Sequence, residues 1–287
     1  MQKINDAKPA SRQAWLSGKP RILAPATHGG VALSLRRVRS RIMSLPRFFC
    51  DVPLLVNAKL TLPAQVNHHI RVRRLKVGEQ IVLFDGSGIE VTAMLEFEPS
   101  GQAIALLGEP KTVDRELPLK LTLVQGIASQ DRMDWVVEKA VELGATALIP
   151  VTAARSVVKL NTDRASKRTL HWQKLVISAS EQCGRNRLMQ IHPPCSVTHA
   201  IEQLKDAPML LCHLSKDTVA LNDPDLLKQI QMRQAASIVI GPEGGWDAKE
   251  ARQWLDAGAQ AISLGSRILR TETAGLAAMA GLASLLT

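Results

Sequence analysis

From Leu119 onward the chain alternates short apolar runs with helix-length segments, and this alternation limits the fold more than any other feature. The apolar runs are KLTLVQGI (120–127), ATALIPV (145–151), PMLLCHL (208–214), SIVIG (237–241) and AISLG (261–265). Such a succession argues for an α/β fold with a largely parallel sheet. Between the first two runs, Met133, Val136, Val137, Ala140 and Val141 fall on one helical face. Ser129 or Asp131 is placed to cap that helix and Gly144 to end it. Further helices are predicted at about 170–183, 247–257 and 273–286. The last is so rich in Ala, Gly and Leu that it should be buried on most sides.

Residues 46–117 follow a different grammar. Gln80–Phe84 and Ile89–Leu95 read as two strands joined by a turn of Asp85, Gly86, Ser87 and Gly88, as expected of a small β domain. Just upstream, Arg71, Arg73, Arg74 and Lys76 fall within six residues. The polar stretch 112–118 ends in proline and reads as a linker. Residues 1–45 show no sustained apolar period and are expected to be disordered. They superficially match an organelle transit peptide, but an upstream start with Met43 as the natural first residue is the plainer reading.

The net charge of +10 invites a nucleic-acid partner, but its distribution matters. Residues 1–45 carry nine basic side chains and one acidic, leaving 27 against 25 in the rest. Any grip on RNA by the folded part must therefore come from local patches. The chain has no Tyr and four Phe, which argues against an aromatic stacking platform. Its longest purely apolar runs are too short to span a bilayer. Cys50, Cys183, Cys195 and Cys212 are scattered without a CxxC pair, supporting neither a zinc site nor a disulfide framework. A reducing, cytoplasmic setting without metal fits best.

Chemistry concentrates in two segments. In SIVIGPEGGWDAKEA (237–251) a strand runs into Gly241-Pro242-Glu243-Gly244-Gly245, and a helix follows, with Asp247 placed as its cap. Such a loop lets a ligand approach bare backbone, although two glycines in a tight structural turn would look the same. Neither the GK[ST] of a P-loop nor a GxGxxG fingerprint is present. In AISLGSRILRTETAGLAAMAG (261–281) a second strand ends at Gly265, and a polar loop bearing Arg267, Arg270 and Glu272 leads into an apolar helix. Glycine loops at the carboxyl ends of neighbouring strands would face one crevice, the usual ligand position in open α/β sheets.

The pair GPEGG and LGSRILRTETA resembles the cofactor loops of SPOUT methyltransferases, in particular the RsmE family of 16S rRNA uridine-N3 methyltransferases. EQCGRNR (181–187), PRFF (46–49) and HHIRVRRLKVGEQIVLFDG are similar to further signatures of that family, so the resemblance extends over about 46–287. It implies a PUA-like β barrel (46–117), then a SPOUT-type α/β domain (118–287) whose C-terminal segment forms a trefoil knot. It also implies a homodimer, S-adenosylmethionine (SAM) as cofactor, and 16S rRNA or the assembled small ribosomal subunit as substrate.

By the same resemblance, Gly241, Gly244 and Gly245 should line the methionine end of the cofactor, with Glu243 in the same loop. Leu264, Gly265, Ile268, Leu269 and Thr273 should wrap the adenine, with Thr271 beside them. His213 lies where a third cofactor loop would begin, or is simply a strand-end histidine.

Uracil N3 carries a proton and is a poor nucleophile, so the reaction needs a stabiliser for the developing anion and a proton acceptor. Arg270 is favoured for the first role, with Arg185 as the alternative; Glu181, Glu243 or Glu272 are candidates for the second. Arg47, Arg71, Arg73, Arg74, Lys76 and Arg185 are candidate RNA contacts. Two other readings stay open: a non-catalytic RNA-binding or ribosome-assembly protein, and an α/β enzyme using another nucleotide cofactor.

Overall fold

The computed structural model describes residues 45–156, 161–204, 206–213 and 217–286. The expectations for residues 1–44 lie outside the described residues.

The first sheet gathers six strands: β1 (Arg47–Phe49), β2 (Lys59–Thr61), β3 (Gln80–Phe84), β4 (Ile89–Phe97), β5 (Ala103–Leu107) and β6 (Lys111–Thr112). Their order is β1-β3-β4-β5-β2, with β6 on β4. The predicted hairpin is present, Phe84 pairing with Glu90 and Gln80 with Met94. Burial alternates along β4, so Val91, Ala93 and Leu95 face a core with Phe48, Ile70, Ile81 and Leu83. Ile70 belongs to a helix the sequence did not suggest, α1 (Ala64–Val72). Val66, Asn67 and Ile70 face inward, and the chain leaves the helix through the cationic run.

The second sheet contains β7 (Lys120–Gly126), β8 (Ala147–Val151), β9 (Gln190–Ile191), β10 (Met209–Cys212), β11 (Val219–Ala220), β12 (Ala235–Ile240) and β13 (Gln260–Ser263). Their order is β11-β13-β10-β12-β7-β8-β9 and every pairing is parallel. The helices are α2 (Gln130–Glu142), α3 (Thr162–Cys183), α4 (Val197–Gln203), α5 (Pro224–Arg233), α6 (Ala248–Asp256) and α7 (Thr271–Leu286).

Alternating strand residues divide between two cores. Leu121, Leu123, Ile238 and Ile240 pack with α2, α3, α5 and α7, while Val124, Val239 and Leu211 pack with α4 and α6. Burial on both faces is why these strands read as unbroken apolar runs. Because the strands are parallel, the carboxyl ends of β13, β10, β12, β7 and β8 lie along one edge of the sheet.

The last helix is covered on most sides, as its composition predicts, and leaves one face open. It buries Gly275, Leu276, Ala278, Met279 and Leu282, but Thr273, Ala277, Ala280 and Ser284 are exposed along one face. Gly275 sits on the sheet so closely that a Cβ there would lie 3.2 Å from Leu123 and 3.4 Å from Ile240.

The EQCGRNR segment joins the two sheets. Gly184 ends α3 in the left-handed conformation (φ 89°). The hairpin turn then docks on the residues that follow: Gly88 N–H donates to Asn186 O (3.1 Å), and Leu188 N–H to Gly86 O (3.4 Å).

Candidate active site

Two loops at the carboxyl edge of the parallel sheet enclose a cavity of about 770 Å³. The first follows β12. Gly245 N–H donates to Pro242 O (2.8 Å), closing a turn in which Gly245 adopts φ +68°. This loop is pressed on its neighbours: a Cβ at Gly126, the last residue of β7, would lie 2.4 Å from Pro242 N. Beyond it, Asp247 caps α6 in a reciprocal capping box with Glu250, and Trp246 packs on Trp254 with centroids 5.7 Å apart. The second loop follows β13 and passes Gly265, at φ +105°. A Cβ at Gly245 or Gly265 would meet no protein atom within 4 Å, so bare backbone faces open space at both.

The sequence-predicted residues His213, Gly241, Glu243, Gly244, Gly245, Leu264, Gly265, Ile268, Leu269, Arg270 and Thr271 all line this cavity. Thr271 also joins the loops, its hydroxyl donating to Gly241 O and accepting from Gln125 Nε2 (2.8 Å). Thr273 lies elsewhere, on the exposed face of α7. Ile240 and Ile262 supply apolar wall. Cys212 lines the cavity too, but burial pushes its thiol up to about 12, so it stays protonated at neutral pH.

Arg132 of α2 bridges the loops. Its guanidinium lies 3.3 Å from Glu243 Oε1 and 3.8 Å from Glu272 Oε1. Ser129 N–H donates to the same Glu243 oxygen (2.8 Å). Desolvation acts to raise the Glu243 pKa, but the Ser129 hydrogen bond and the Arg132 charge outweigh it and hold the carboxyl below its ordinary value. The second carboxylate oxygens of Glu243 and Glu272 are buried without a protein donor among the described residues. Arg155, after β8, donates to Gly244 O (3.2 Å), and its segment is held by Ala154 N–H on Glu250 Oε1 (2.7 Å).

Gln125, Arg132 and Arg155 are absent from the sequence-based candidates. Their partners lie 89 to 146 positions away, so no local pattern marks them.

The remaining candidates lie away from the cavity. Glu181 accepts from Phe49 N–H (3.1 Å) and lies 4.0 Å from His69 Nδ1, at the junction of α3 with β1; burial raises its pKa. Arg47 is also at that junction, bonded to Glu90 (2.9 Å) and Asn186 and 5.1 Å from the Phe84 ring centroid. Arg185 faces inward. It pairs with Glu116 and donates to Val141 O and Ala145 O (2.9 Å each), satisfying carbonyls at the end of α2. Both arginines are therefore spent on internal ties, Arg47 across the junction of the sheets and Arg185 at the end of α2, rather than offering charge to a phosphate. Arg71, Arg73, Arg74 and Lys76 are exposed, and none forms an ion pair among the described residues.

Residues 115–283 match the RNA methyltransferase domain family, and residues 62–107 the RNA methyltransferase PUA domain family. The ribosomal RNA small subunit methyltransferase E of Bacillus subtilis is 32% identical over 221 residues, covering 76% of this chain and 86% of that protein. The chain belongs to this family. The Synechocystis enzyme of the same name is likewise 32% identical, over 81% of this chain and 75% of its own. The crystal structure of a ribosomal RNA small subunit methyltransferase E from Neisseria gonorrhoeae, bound to S-adenosyl methionine, superposes with a TM-score of 0.77. It is 40% identical and covers 84% of this chain and 98% of that one. A methyltransferase structure from Legionella pneumophila, in complex with SAM, gives a TM-score of 0.76 at 30% identity over 84% and 97% of the two chains. In this chain the glycine loops line the cavity, and the EQCGRNR segment ties the two sheets. Among the described residues, no helix is long and apolar enough to cross a membrane, and no group of three or more His, Cys, Asp or Glu could hold a metal ion.

Proposed function

We propose that the chain is a SAM-dependent methyltransferase that modifies N3 of a uridine in 16S rRNA of the small ribosomal subunit. The observation that carries this reading is the cavity walled by bare glycine backbone. It occurs in a chain related to a small-subunit rRNA methyltransferase described with SAM.

The residues present fit the cofactor. The space left open at Gly245 and Gly265 admits a ligand against the backbone, and the volume falls in the range of small-molecule sites. Gly241, Gly244 and Gly245 would hold the methionine end, and Leu264, Gly265, Ile268 and Leu269 the adenine. When bound, the cofactor supplies an electrophilic methyl group.

Uracil must then be presented with N3 in line, and its charge stabilised as the proton leaves. Arg270 lines the cavity and is exposed, which supports a role for its permanent charge in stabilising the anion that develops on uracil O2 or O4. An arginine only donates, so it cannot take the proton. Glu243 is a weaker base than an ordinary glutamate and Glu272 is engaged by Arg132. The burden therefore falls on stabilising the anion rather than on a strong base.

The exposed run Arg71–Lys76 would hold RNA phosphates, the first sheet acting as an RNA-binding domain over 46–117 and the rest as the methyltransferase domain over 118–287. The implied barrel and trefoil knot belong to the same proposal. After β13 the chain turns back to lay α7 against β7, β12 and α2, the course such threading needs. A homodimer would cover the exposed small side chains of α7. A ribosomal substrate implies a cytoplasmic setting.

Reverse transcription across 16S rRNA tests the function, because an N3 methyl blocks base pairing and stops the polymerase. A strain lacking the gene should lose one stop, restored by the wild type and not by Arg270→Ala. An unchanged pattern of stops would refute the reading.

A further inference from the structure

The charges around the cavity are unbalanced. Four arginines line it, Arg132, Arg155, Arg267 and Arg270, against a single lining carboxylate, Glu243. Arg132 is committed to Glu243 and Glu272. The other three have no ion pair among the described residues, and all three are exposed. Arg155 has one bond, to the neutral carbonyl of Gly244. It follows β8 whereas Arg267 and Arg270 follow β13, and three strands separate β8 from β13 in the sheet. The free cations therefore flank the cavity from two sides.

Resting on the SAM reading above, this arrangement poses an electrostatic conflict. SAM carries a net positive charge at neutral pH, from sulfonium, ammonium and carboxylate, whereas its demethylated product, S-adenosylhomocysteine (SAH), is neutral overall. Unpaired cations at the mouth oppose the first and leave the second largely unaffected. An RNA backbone laid across the same arginines would neutralise them.

We propose that Arg155, with Arg267 across the cavity, forms a phosphate-receiving rim that couples the two ligands, so that RNA and the cationic cofactor each tighten the binding of the other. The coupling is reciprocal by linkage. It disappears once the methyl group is transferred, because the neutral product no longer gains from the bound RNA. Substrate would thus be held with cofactor before the reaction and less firmly after it. Arg155 acts here as a binding residue for RNA and a modulator of cofactor affinity, distinct from Arg270 at the uracil.

The test is calorimetric titration of the full chain with SAH and with sinefungin, a non-transferring analogue in which a protonated amine replaces the methylated sulfonium. Each titration is run with and without a saturating uridine-rich RNA, at low and at high salt. RNA should tighten sinefungin about fivefold at low salt and leave SAH within error, and high salt should erase the difference. Arg155→Gln should bind sinefungin more tightly than the wild type without RNA and lose most of the RNA effect. Arg155→Lys, which keeps the charge, should retain it. SAH affinity serves as the control for folding in both variants. Equal effects of RNA on both ligands, or none on either, would overturn the coupling while leaving the cofactor reading intact. Failure of both ligands to bind would overturn the cofactor reading as well.

Discussion

The hydroxyl of Thr271 donates to the carbonyl of Gly241 and accepts from Gln125, so one side chain at the start of α7 fixes the loop after β13 against the loop after β12. The two walls of the cavity are thereby set by a hydrogen bond spanning 30 residues of sequence.

Thr271→Val keeps the shape and removes that bond. Gln125 Nε2 keeps its bond to Gly126 O (3.0 Å), but Gly241 O is left with only the long contact from that amide (3.5 Å), which should cost about 1–3 kcal/mol and loosen the wall. SAM binding should weaken by about an order of magnitude, which corresponds to roughly 1.4 kcal/mol. Thr271→Ser should restore most of both. Thermal melts and calorimetry on the two variants check this.

Two glycines should respond in opposite ways. Gly265→Ala places a methyl in open space at φ +105°, so strain of about 1–3 kcal/mol is its only cost to the fold, while the methyl occupies room needed by the cofactor. Gly126→Ala drives a Cβ to 2.4 Å from the Pro242 backbone and should prevent the loop from seating. Soluble, folded Gly265→Ala that no longer binds SAM is the expected outcome, against poorly folded Gly126→Ala. Circular dichroism alongside calorimetry separates the cases.

Acid should loosen the junction of the two sheets. Desolvation pushes the Glu90 carboxyl up, but hydrogen bonds from Arg115, Arg47 and Asn186 prevail and bring it to about 2 from an ordinary 4.5. A carboxyl depressed on folding contributes stability above about 4.5, which is lost as pH falls toward 2. The contribution is on the order of 2 kcal/mol after allowance for partial exposure. Glu90→Gln should lower the melting temperature at neutral pH and flatten its decline between those pH values. A decline identical to the wild type would remove Glu90 from the account.

Arg73→Ala together with Arg74→Ala should weaken RNA binding and reduce the magnitude of its salt slope by up to about two, roughly one for each phosphate no longer neutralised. Filter binding at several salt concentrations gives that slope. An unchanged slope would mean that the exposed run does not touch RNA.

Much of this architecture was legible because it is written locally. The strand β12, its glycine turn and the Asp247 cap are contiguous, and β3 with β4 forms a hairpin around a recognisable turn. The two glycine loops could be singled out for the same reason. What could not be read is set by tertiary packing. Arg185 and Arg47 have the composition of a basic surface, yet Glu116, Glu90 and Asn186, distant in sequence, turn them inward. The helix α1 has no side-chain cap and a mixed face, and it ends in the cationic run, so it gave no periodic signal. Arg132 and Arg155 look like ordinary surface arginines until the sheet brings β8, α2 and the glycine loops to one edge.

The most direct test is a crystal of the full chain grown with SAM. The account predicts ligand density between Gly241–Gly245 and Leu264–Leu269, with the Thr271 hydroxyl still on Gly241. Density elsewhere, or two loops that stand apart around solvent alone, would contradict it.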